Sequence, residues 1–322
     1  MTKPSRLDTL VTIIGGSGFI GRHLVRALAK RDYRIRVAVR RPDLAGHLQP
    51  LGRVGQIHAV QANLRYPDSI AAAVRDSHVV VNLTGILFER GAQRFDRVHT
   101  DGAKAAAEAA AAVGARVIQM SALGADPDSP SAYARSKAEG EAAVRAVLPE
   151  AAIIRPSVVF GPEDDFFNRF AALARMSPVL PLVGGGENKF QPVFVGDVAE
   201  AIARIVDGTA APQIYELGGP DVMTMAEVMS YVLDTIERRR LLLPLPFPVA
   251  KLAASVLQFL PRPPLTPDQV ALLKTDNVVS AAARDEDRTL AGLGIDPVSV
   301  ETVVPTYLWR FRRTGQFRSR PA

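Results

Sequence analysis

The sequence contains no cysteine among its 322 residues. This absence excludes disulfides and thiolate chemistry, and it fits a reducing compartment. Long apolar runs are also missing: no uninterrupted stretch reaches about 18 apolar residues, so a membrane-spanning helix is not expected. Only a few polar residues precede the first apolar run at Leu10–Ile14, and we therefore expect no signal or transit peptide.

The net charge of +6 is concentrated at one end of the chain. The segment Arg310–Ala322 has no acidic residue, and it carries Arg310, Arg312, Arg313, Arg318 and Arg320. Without these five, the chain has 34 basic and 33 acidic residues. A basic arm on a neutral body favours contact with anionic lipid or an acidic protein over nucleic acid. The alternative is a solvated, disordered end.

The sequence offers no pattern typical of a bound metal ion. The five histidines do not fall at ligand spacing: His23, His47, His58, His78 and His99. The acidic run Glu163–Asp165 lacks the spacing of an oxygen-ligand site, so we expect it to be solvated in a loop. Asp197 precedes a helical pattern, and we interpret it as an N-cap residue.

Val- and Ile-rich runs alternate with Ala- and Leu-rich helical patterns in the first half of the chain. The predicted strands lie near Leu10–Ile14, Arg34–Val39, Gln56–Gln61, His78–Leu83, Arg116–Met120 and Ala151–Arg155. The predicted helices lie near Phe19–Arg31, Leu44–Leu51, Asp68–Val74, Ala92–Val113 and Ala132–Val147. This alternation predicts an α/β fold, with a Rossmann doubly wound parallel sheet in residues 1–156 that later interleaved segments complete. Pro- and Gly-rich loops then predict a smaller C-terminal α/β lobe over 157–308, followed by the basic tail 309–322.

A glycine-rich turn follows the first predicted strand and opens the first predicted helix. Gly15 permits the tight turn, Gly18 lets a pyrophosphate approach the backbone, and Gly21 lets the helix pack closely on the sheet. The free N–H groups of the first helical turn then face the phosphates. The dinucleotide-binding residues predicted here are Gly15, Ser17, Gly18, Phe19, Ile20 and Gly21.

The end of the second predicted strand indicates which dinucleotide binds. Arg40 and Arg41 stand about 20 residues beyond the turn, where an NAD-binding chain carries an acidic residue for the ribose 2′-hydroxyl. A guanidinium there pairs with a 2′-phosphate, which favours NADP(H) over NAD, although a solvated arginine pair is the alternative. Later strand ends add further predicted cofactor-binding residues: Asn63, Leu64, Leu83, Thr84 and Gly85.

Tyr133 and Lys137 are four residues apart in a predicted helix, so their side chains lie on one face. In such a pair the Lys ammonium lowers the pKa of the Tyr hydroxyl and can hydrogen-bond the nicotinamide ribose. The Tyr then passes a proton to or from a substrate oxygen as hydride moves. Both residues are therefore predicted to be catalytic and to bind the cofactor.

Residues Leu10–Gly219 resemble the extended and atypical short-chain dehydrogenase/reductase superfamily. The resemblance rests on GGSGFIG, Asn63-Leu64, YARSK (Tyr133–Lys137), RPSVVFGP (Arg155–Pro162) and FQPVFVGDVAEAI (Phe190–Ile202). It implies that Tyr133 and Lys137 are catalytic and that Pro156 lies against the nicotinamide end of the cofactor. The third catalytic residue of the family is a Ser or Thr just past the fifth strand. Its nearest candidate here is Ser121, one register early, which leaves Ala122 or Leu123 at the catalytic position.

Within that superfamily the chain is similar to the NADPH-binding accessory subunit of respiratory complex I and its bacterial relatives. The similar segments are NLTGILFERGAQRFDRVHTDG (Asn82–Gly102), IQMSALGADPDSPSAYARSKAEGE (Ile118–Glu141), FQPVFVGDVA (Phe190–Ala199) and Leu245–Ser280. In that family the nucleotide is held tightly as a structural element. The resemblance implies complex I subunits as partners. We expect a cytoplasmic protein, either free or attached peripherally to the cytoplasmic face of the inner membrane through the basic tail.

The segment Pro248–Leu260 predicts a helix with a wide apolar face and a narrow polar stripe. Such a face is typical of a helix buried in its own lobe, of one in a partner groove, or of one at a membrane interface. The leading function is an accessory or assembly component of NADH:quinone oxidoreductase that binds NADP(H). The alternatives are an active NADP-dependent oxidoreductase or epimerase on a carbonyl or sugar-like substrate, and a redox-sensing module.

Overall fold

The computed structural model describes residues 6–261, 263–313 and 315. Its strands are β1 (Leu10–Ile14), β2 (Arg34–Val39), β3 (Ile57–Gln61), β4 (Val79–Asn82), β5 (Arg116–Met120), β6 (Ala152–Pro156), β7 (Val159–Phe160), β8 (Val179–Val183), β9 (Lys189–Phe190), β10 (Val193–Phe194), β11 (Ile214–Leu217), β12 (Met223–Thr224) and β13 (Leu241–Leu245). Its α-helices are α1 (Phe19–Ala29), α2 (Pro67–Val74), α3 (Gly102–Ala112), α4 (Ala132–Val147), α5 (Phe167–Met176), α6 (Val195–Val206), α7 (Met225–Thr235), α8 (Phe247–Leu257), α9 (Pro267–Leu272), α10 (Ala281–Asp285), α11 (Val300–Val303) and α12 (Pro305–Leu308). A π-helix spans Asp96–Asp101, and the longest 3₁₀ segment spans Pro42–Leu51.

Seven strands form one parallel sheet in the order β11-β6-β5-β4-β1-β2-β3. The central strand β1 pairs on one side with β2, where Ile13 faces Val37, and on the other with β4, where Ile13 faces Val81. All five residues of β1 are buried, because helices cover both faces of a parallel sheet. This architecture confirms the predicted α/β Rossmann class. Strand β11 extends the sheet beyond β6; the sequence predicts that later segments complete the sheet but does not locate this strand.

The chain forms two compact units. Unit 1 contains the residues up to Arg155 together with Gly196–Leu217 and Ala281–Ile295. Unit 2 contains Pro156–Val195, Gly218–Ser280 and the described residues from Asp296 onward. In unit 1 the buried face of α3 consists of small residues that pack against Val and Ile side chains of the sheet, among them Ala103, Ala106, Ala107 and Ala110. Small side chains let this helix approach the sheet closely.

Asp164 of unit 2 is buried, so the predicted solvation of the acidic run 163–165 is wrong at this position. Its carboxylate accepts backbone N–H groups from Gly161, Phe166 and Asn168, and the Tyr307 hydroxyl donates to it at 2.5 Å. Burial raises the pKa of Asp164, although these hydrogen bonds oppose the shift. The partner Tyr307 stands 143 residues away in sequence, which is why a local pattern could not reveal the burial.

The segment 309–311, predicted to begin the basic tail, is a short 3₁₀ turn whose Phe311 is buried in unit 2. Phe311 shares an apolar core with Phe160, Phe167, Tyr307 and Leu308. These contacts tie the residues around Phe311 into the folded unit. The remaining tail arginines Arg318 and Arg320 lie outside the described residues.

Helix α8 covers most of the predicted helix Pro248–Leu260, but its burial inside the second lobe is not observed. Only Ala250 and Ala254 of this helix are buried. Leu252 and Val256 are 71% and 69% exposed, and Phe259 just beyond the helix is 84% exposed. The interpretation as a core helix is therefore wrong. In the described part of the chain, no helix is long and apolar enough to cross a membrane.

Asp197 is the third residue of α6 and not its N-cap, because strand β10 runs directly into a helix that begins at Val195. Its carboxylate still lies in the first turn, where a negative charge interacts favourably with the helix dipole. The predicted capping position is thus three residues beyond the observed one, which is Phe194.

Candidate functional site

The glycine turn between β1 and α1 has the backbone that its sequence predicts. Gly15 has a φ of +81°, a left-handed conformation that L side chains rarely adopt. Its N–H donates to Ala38 O at 2.9 Å, which ties the turn to β2. A Cβ atom at Gly15 would also lie 3.2 Å from Thr84 Oγ1, so the end of β4 closes over the turn.

The first turn of α1 is open to an anion. Gly18 occupies the N-cap position and no side chain caps the helix. The first helical hydrogen bond runs from Arg22 N to Gly18 O, so the N–H groups before it have no partner within the helix. A Cβ at Gly21 would lie 2.5 Å from the Gly16 carbonyl, and only glycine allows this close packing. Such a turn fits the pyrophosphate of a dinucleotide.

The two arginines at the end of β2 differ in their surroundings. Arg41 donates from Nε and Nη2 to the Asp43 carboxylate, at 2.9 and 2.6 Å. A carboxylate therefore stands two residues beyond the strand-end arginines and neutralises Arg41. Arg40 is exposed and makes no hydrogen bond or ion pair within the described residues. Its guanidinium is therefore the one at this strand end that is open to a phosphate.

The ends of β3 and β4 hold the other predicted cofactor residues. Asn63 Oδ1 accepts the backbone N–H of Arg65 at 3.2 Å, and Leu64 is buried. Leu83 N donates to Ile14 O at 3.0 Å, which keeps the end of β4 beside the glycine turn. A Cβ at Gly85 would lie 3.2 Å from Lys137 Nζ, so this glycine brings the backbone close to the predicted catalytic lysine.

Tyr133 and Lys137 lie in the first two turns of α4. The Tyr133 ring is half-buried, and Lys137 Nζ is 5.8 Å from its centroid. Lys137 is buried, and its ammonium donates to Met120 O at 3.4 Å. Burial lowers the pKa of Lys137 to about 8, although Glu141 opposes the shift. A buried amine with a shifted pKa is typical of a functional site.

His99 lies beside Tyr133 and Lys137. From the sequence alone this residue is considered only as a metal ligand, and it has no ligand spacing. It lies in the π-helix 96–101, and such helices occur frequently at functional sites. The imidazole stacks on Phe95 at 5.4 Å and meets the Tyr133 ring edge-on at 5.5 Å. Burial, followed by repulsion from Lys137, lowers the pKa of His99 to about 3, so the ring is neutral near pH 7.

The hydrogen bonds of His99 have one consistent direction. Ile86 N donates to Nε2 at 3.0 Å, so the ring proton lies on Nδ1. Nδ1 then donates to Ser136 Oγ at 2.9 Å, and Ser136 Oγ donates to Tyr133 O at 2.8 Å. This chain fixes the Tyr133 turn of α4 relative to the loop after β4. A local sequence motif could not reveal the role of His99, because its hydrogen-bond partners Ile86 and Ser136 lie on separate segments of the chain.

Ser121, the nearest candidate for the third catalytic residue, is engaged elsewhere. It is buried and donates to Glu141 Oε1. Arg155 Nε and Nη2 donate to the same Glu141 carboxylate at 2.8 and 2.6 Å, and Glu216 lies 3.8 Å from Arg155. The Ser121 hydroxyl thus belongs to a buried ion-pair network.

Two residue predictions remain: Pro156 is expected beside the nicotinamide, and no metal site is expected. Pro156 is the buried last residue of β6. Over the residues that the structure describes, no three His, Asp or Glu side chains lie together as a possible metal site. The open helix N-terminus and the glycine cradle fit a dinucleotide instead.

The parallel sheet, the glycine turn and the Tyr133–Lys137 pair define a Rossmann-fold protein of the short-chain dehydrogenase/reductase type. The profile of the NAD dependent epimerase/dehydratase family matches residues 11–218, and the chain belongs to that family. The family predicted from the sequence is therefore confirmed. A nicotinamide nucleotide is accordingly the cofactor class.

Several relatives are subunits of mitochondrial NADH dehydrogenase. The chain is 37% identical over 320 residues to NADH dehydrogenase [ubiquinone] 1 alpha subcomplex subunit 9 of Arabidopsis thaliana, covering 95% of this chain and 79% of that protein. It is 32% identical over 314 residues to the NADH-ubiquinone oxidoreductase 40 kDa subunit of Neurospora crassa, covering 97% and 82%. It is also 37% identical over 243 residues to a ceramide reductase of Caulobacter vibrioides, covering 74% of each chain.

Solved structures share the fold at lower identity. The NADPH-dependent quinone oxidoreductase QOR2 of Escherichia coli, complexed with NADPH, has a TM-score of 0.72 at 18% identity, covering 93% of this chain and 99% of that one. The dTDP-glucose 4,6-dehydratase DesIV of Streptomyces venezuelae, with NAD bound, has a TM-score of 0.69 at 20% identity, covering 96% and 98%. These likenesses concern the fold alone.

Proposed function

We propose that the protein binds NADP(H) as an accessory or assembly component of respiratory NADH:quinone oxidoreductase and holds the nucleotide without rapid turnover. The observation that supports the lack of rapid turnover is the hydrogen bond from Ser121 to Glu141. A catalytic hydroxyl must reach the substrate oxygen, whereas this one is buried against a carboxylate. The complex I subunits among the relatives support the role as an accessory or assembly component.

The proposal includes a location and partners. We infer attachment to complex I subunits at the cytoplasmic face of the inner membrane. The test is mass spectrometry of the natively purified protein under non-denaturing conditions. We expect one NADP(H) per chain and co-purifying respiratory subunits. A preparation with neither bound nucleotide nor respiratory subunits would contradict the proposal.

The proposed cofactor-binding residues are those of the glycine turn and of the ends of β2, β3 and β4, with Tyr133, Lys137 and Pro156. Replacing Arg40 with glutamine should weaken NADPH binding by about 10- to 100-fold, because a charged phosphate contact contributes about 1.5–3 kcal/mol. NADH binding should barely change. Calorimetric titration of both cofactors measures this difference. Arg41→Gln is the matched control and should have a smaller effect, since Asp43 already engages Arg41. Equal affinity of the unmodified protein for NADPH and NADH would refute the assignment.

A second candidate function is an active NADP-dependent reductase or epimerase on a carbonyl or sugar-like substrate. The similarity to a ceramide reductase favours it, as does the Tyr133–Lys137 pair supported by His99. In such an enzyme Tyr133 would donate a proton to the substrate oxygen, and a nicotinamide nucleotide bound at the glycine turn would supply the hydride.

Tyr133→Phe separates the two functions. In an accessory protein this change should leave nucleotide retention, stability and partner association unaltered. In an enzyme it should lower turnover by about 10²–10⁴-fold while the cofactor stays bound. The measurement is NADPH oxidation over a panel of ketones, long-chain ketones and nucleotide sugars. Oxidation that disappears in Tyr133→Phe would place the enzyme first.

A further inference from the structure

Three arginines from separate segments of unit 2 surround Phe311. The guanidinium carbons of Arg175 and Arg310 lie 5.9 and 5.2 Å from the centre of the Phe311 ring. Arg238 Nε donates to the Phe311 carbonyl at 3.1 Å. The fold therefore brings cations from α5, from the loop after α7 and from the chain beyond α12 to one place.

Further arginines are fixed beside these by backbone carbonyls. Arg240 Nε donates to Ala174 O at 2.7 Å, and Arg312 Nε donates to Thr235 O at 2.9 Å. Arg239 and Arg313 are exposed neighbours in sequence. We call this group the Phe311 arginine cluster: Arg175, Arg238, Arg239, Arg240, Arg310, Arg312 and Arg313.

The Phe311 arginine cluster has little neutralising charge. In the part of the chain that the structure describes, one carboxylate forms an ion pair with it, Glu237 with Arg312 at 3.5 Å. Burial lowers the pKa of Arg238, and repulsion from Arg240, Arg313 and Arg175 lowers it further. Like charges held together without counter-charges raise the free energy of the unbound protein, and an anionic surface would relieve this repulsion.

Exposed aliphatic side chains border the cluster. Met176, which follows Arg175, is 86% exposed, and Leu241, which follows Arg240, is 63% exposed. Leu241 N donates to Pro178 O at 3.1 Å, so β13 begins close to the end of α5. Leu243 is also exposed and points to the same side of β13 as Leu241, because side chains alternate along a strand.

The sequence around β13 and α8 contains no opposing charge. From Arg238 to Pro267 there is no Asp or Glu over thirty residues, while this stretch has four arginines and one lysine. A partner with positive charge is therefore disfavoured at this surface. Arginines beside exposed Met and Leu fit the boundary between lipid headgroups and acyl chains.

We propose that the Phe311 arginine cluster, together with Met176, Leu241 and Leu243, binds the surface of a bilayer that contains anionic phospholipids. The guanidinium groups pair with headgroup phosphates, and the aliphatic side chains enter the layer beneath them. This surface belongs to folded unit 2, so membrane attachment does not require the last nine residues. A soluble phosphate ligand would use the arginines but not the exposed aliphatic side chains.

Cosedimentation of the full-length protein with vesicles tests the proposal. Vesicles of phosphatidylcholine with about 30% phosphatidylglycerol should bind the protein, and pure phosphatidylcholine should not, because each basic residue near an anionic surface contributes about fivefold to partitioning. Raising the salt to about 1 M should reduce binding, since the Debye length falls to about 3 Å. No binding to anionic vesicles at low salt would overturn the proposal.

Variants locate the surface. The double change Arg239→Gln/Arg313→Gln should lower the partition coefficient about 25-fold, as two such residues each contribute about fivefold. The matched control is Arg34→Gln/Arg75→Gln, two exposed arginines of unit 1 that also stand beside another arginine, Arg36. Equal losses in both pairs would show a non-specific charge effect and overturn the assignment.

The aliphatic border distinguishes a bilayer from a soluble anion. Met176→Ser/Leu241→Ser should weaken vesicle binding several-fold and leave the net charge unchanged. Because both side chains are exposed, the fold should tolerate these changes, which circular dichroism checks. Vesicle binding that is unaffected by this pair, but is abolished by millimolar inorganic pyrophosphate, would identify a soluble phosphate ligand and overturn the proposal.

Discussion

Lys137→Met should stabilise the nucleotide-free protein while weakening nucleotide retention. Burial lowers the pKa of Lys137 from 10.5 to about 8, so the folded state binds its proton less well than the unfolded chain does. At about 1.36 kcal/mol for each pKa unit, the buried charge lowers the free energy of unfolding by about 3 kcal/mol at pH 7. Methionine retains the length of the side chain and removes this penalty. The proposed contact with the nicotinamide ribose is lost at the same time.

The stability gain should depend on pH in a defined direction. Between about pH 8 and 10.5 the unfolded chain holds the Lys137 proton and the folded protein does not, so the unmodified protein becomes more stable as pH rises. The advantage of Lys137→Met should therefore shrink across this window. Urea denaturation of nucleotide-free protein at pH 7 and pH 10 measures it. Lys104→Met is the control, because Lys104 is exposed and no such gain is expected. A variant less stable than the unmodified protein at pH 7 would contradict the argument.

Arg155→Met should destabilise unit 1 by about 3–5 kcal/mol, because it leaves the Glu141 carboxylate buried without its cation. Glu141 is 6% exposed, and Arg155 makes two hydrogen bonds with it. The double variant Glu141→Gln/Arg155→Met should recover part of the loss, since it removes the unpaired charge. Urea denaturation of the unmodified protein, of the single variants Glu141→Gln and Arg155→Met, and of the double variant gives the coupling energy.

A matched control separates burial from ion-pair geometry. The Arg41–Asp43 pair has the same closest distance as Arg155–Glu141, 2.6 Å, but it is exposed to solvent. Breaking it by Arg41→Met should have a negligible effect on stability, because water screens an exposed pair. Equal destabilisation by the two single variants would show that burial of Glu141 is not the cause.

The bounds of β1, β2 and β5 coincide with the predicted ranges, because each is a short run rich in Val or Ile that polar or glycine-containing segments bound on both sides. The predicted helix Leu44–Leu51 is instead part of the 3₁₀ segment 42–51, which contains Pro50 and so loses a backbone donor. Strand β11 could not be located from the sequence, because its four residues are too few to show an alternation of apolar and polar side chains. Its position beside β6 also depends on the later chain returning to the sheet.

Some features of the candidate site depend only on residues that are neighbours in sequence, and others depend on residues that are distant in sequence. The glycine turn and the Tyr133–Lys137 spacing are local, so the sequence alone reveals them. The neutral state of His99, the engagement of Ser121 and the burial of Asp164 depend on partners between 13 and 143 residues away. Such partners become visible only when the chain is folded.

The hydrogen bond between Tyr307 and Asp164 sets an order for events on the ribosome. Unit 2 cannot complete its buried carboxylate site until synthesis has passed residue 307, although the rest of that site is present from Gly161 to Asn168. Until then Asp164 has no phenol donor, and Phe160 and Phe167 lack the aromatic partners supplied by the last segment of their core. A nascent chain halted before residue 307 should therefore expose this apolar surface and be a substrate for chaperones.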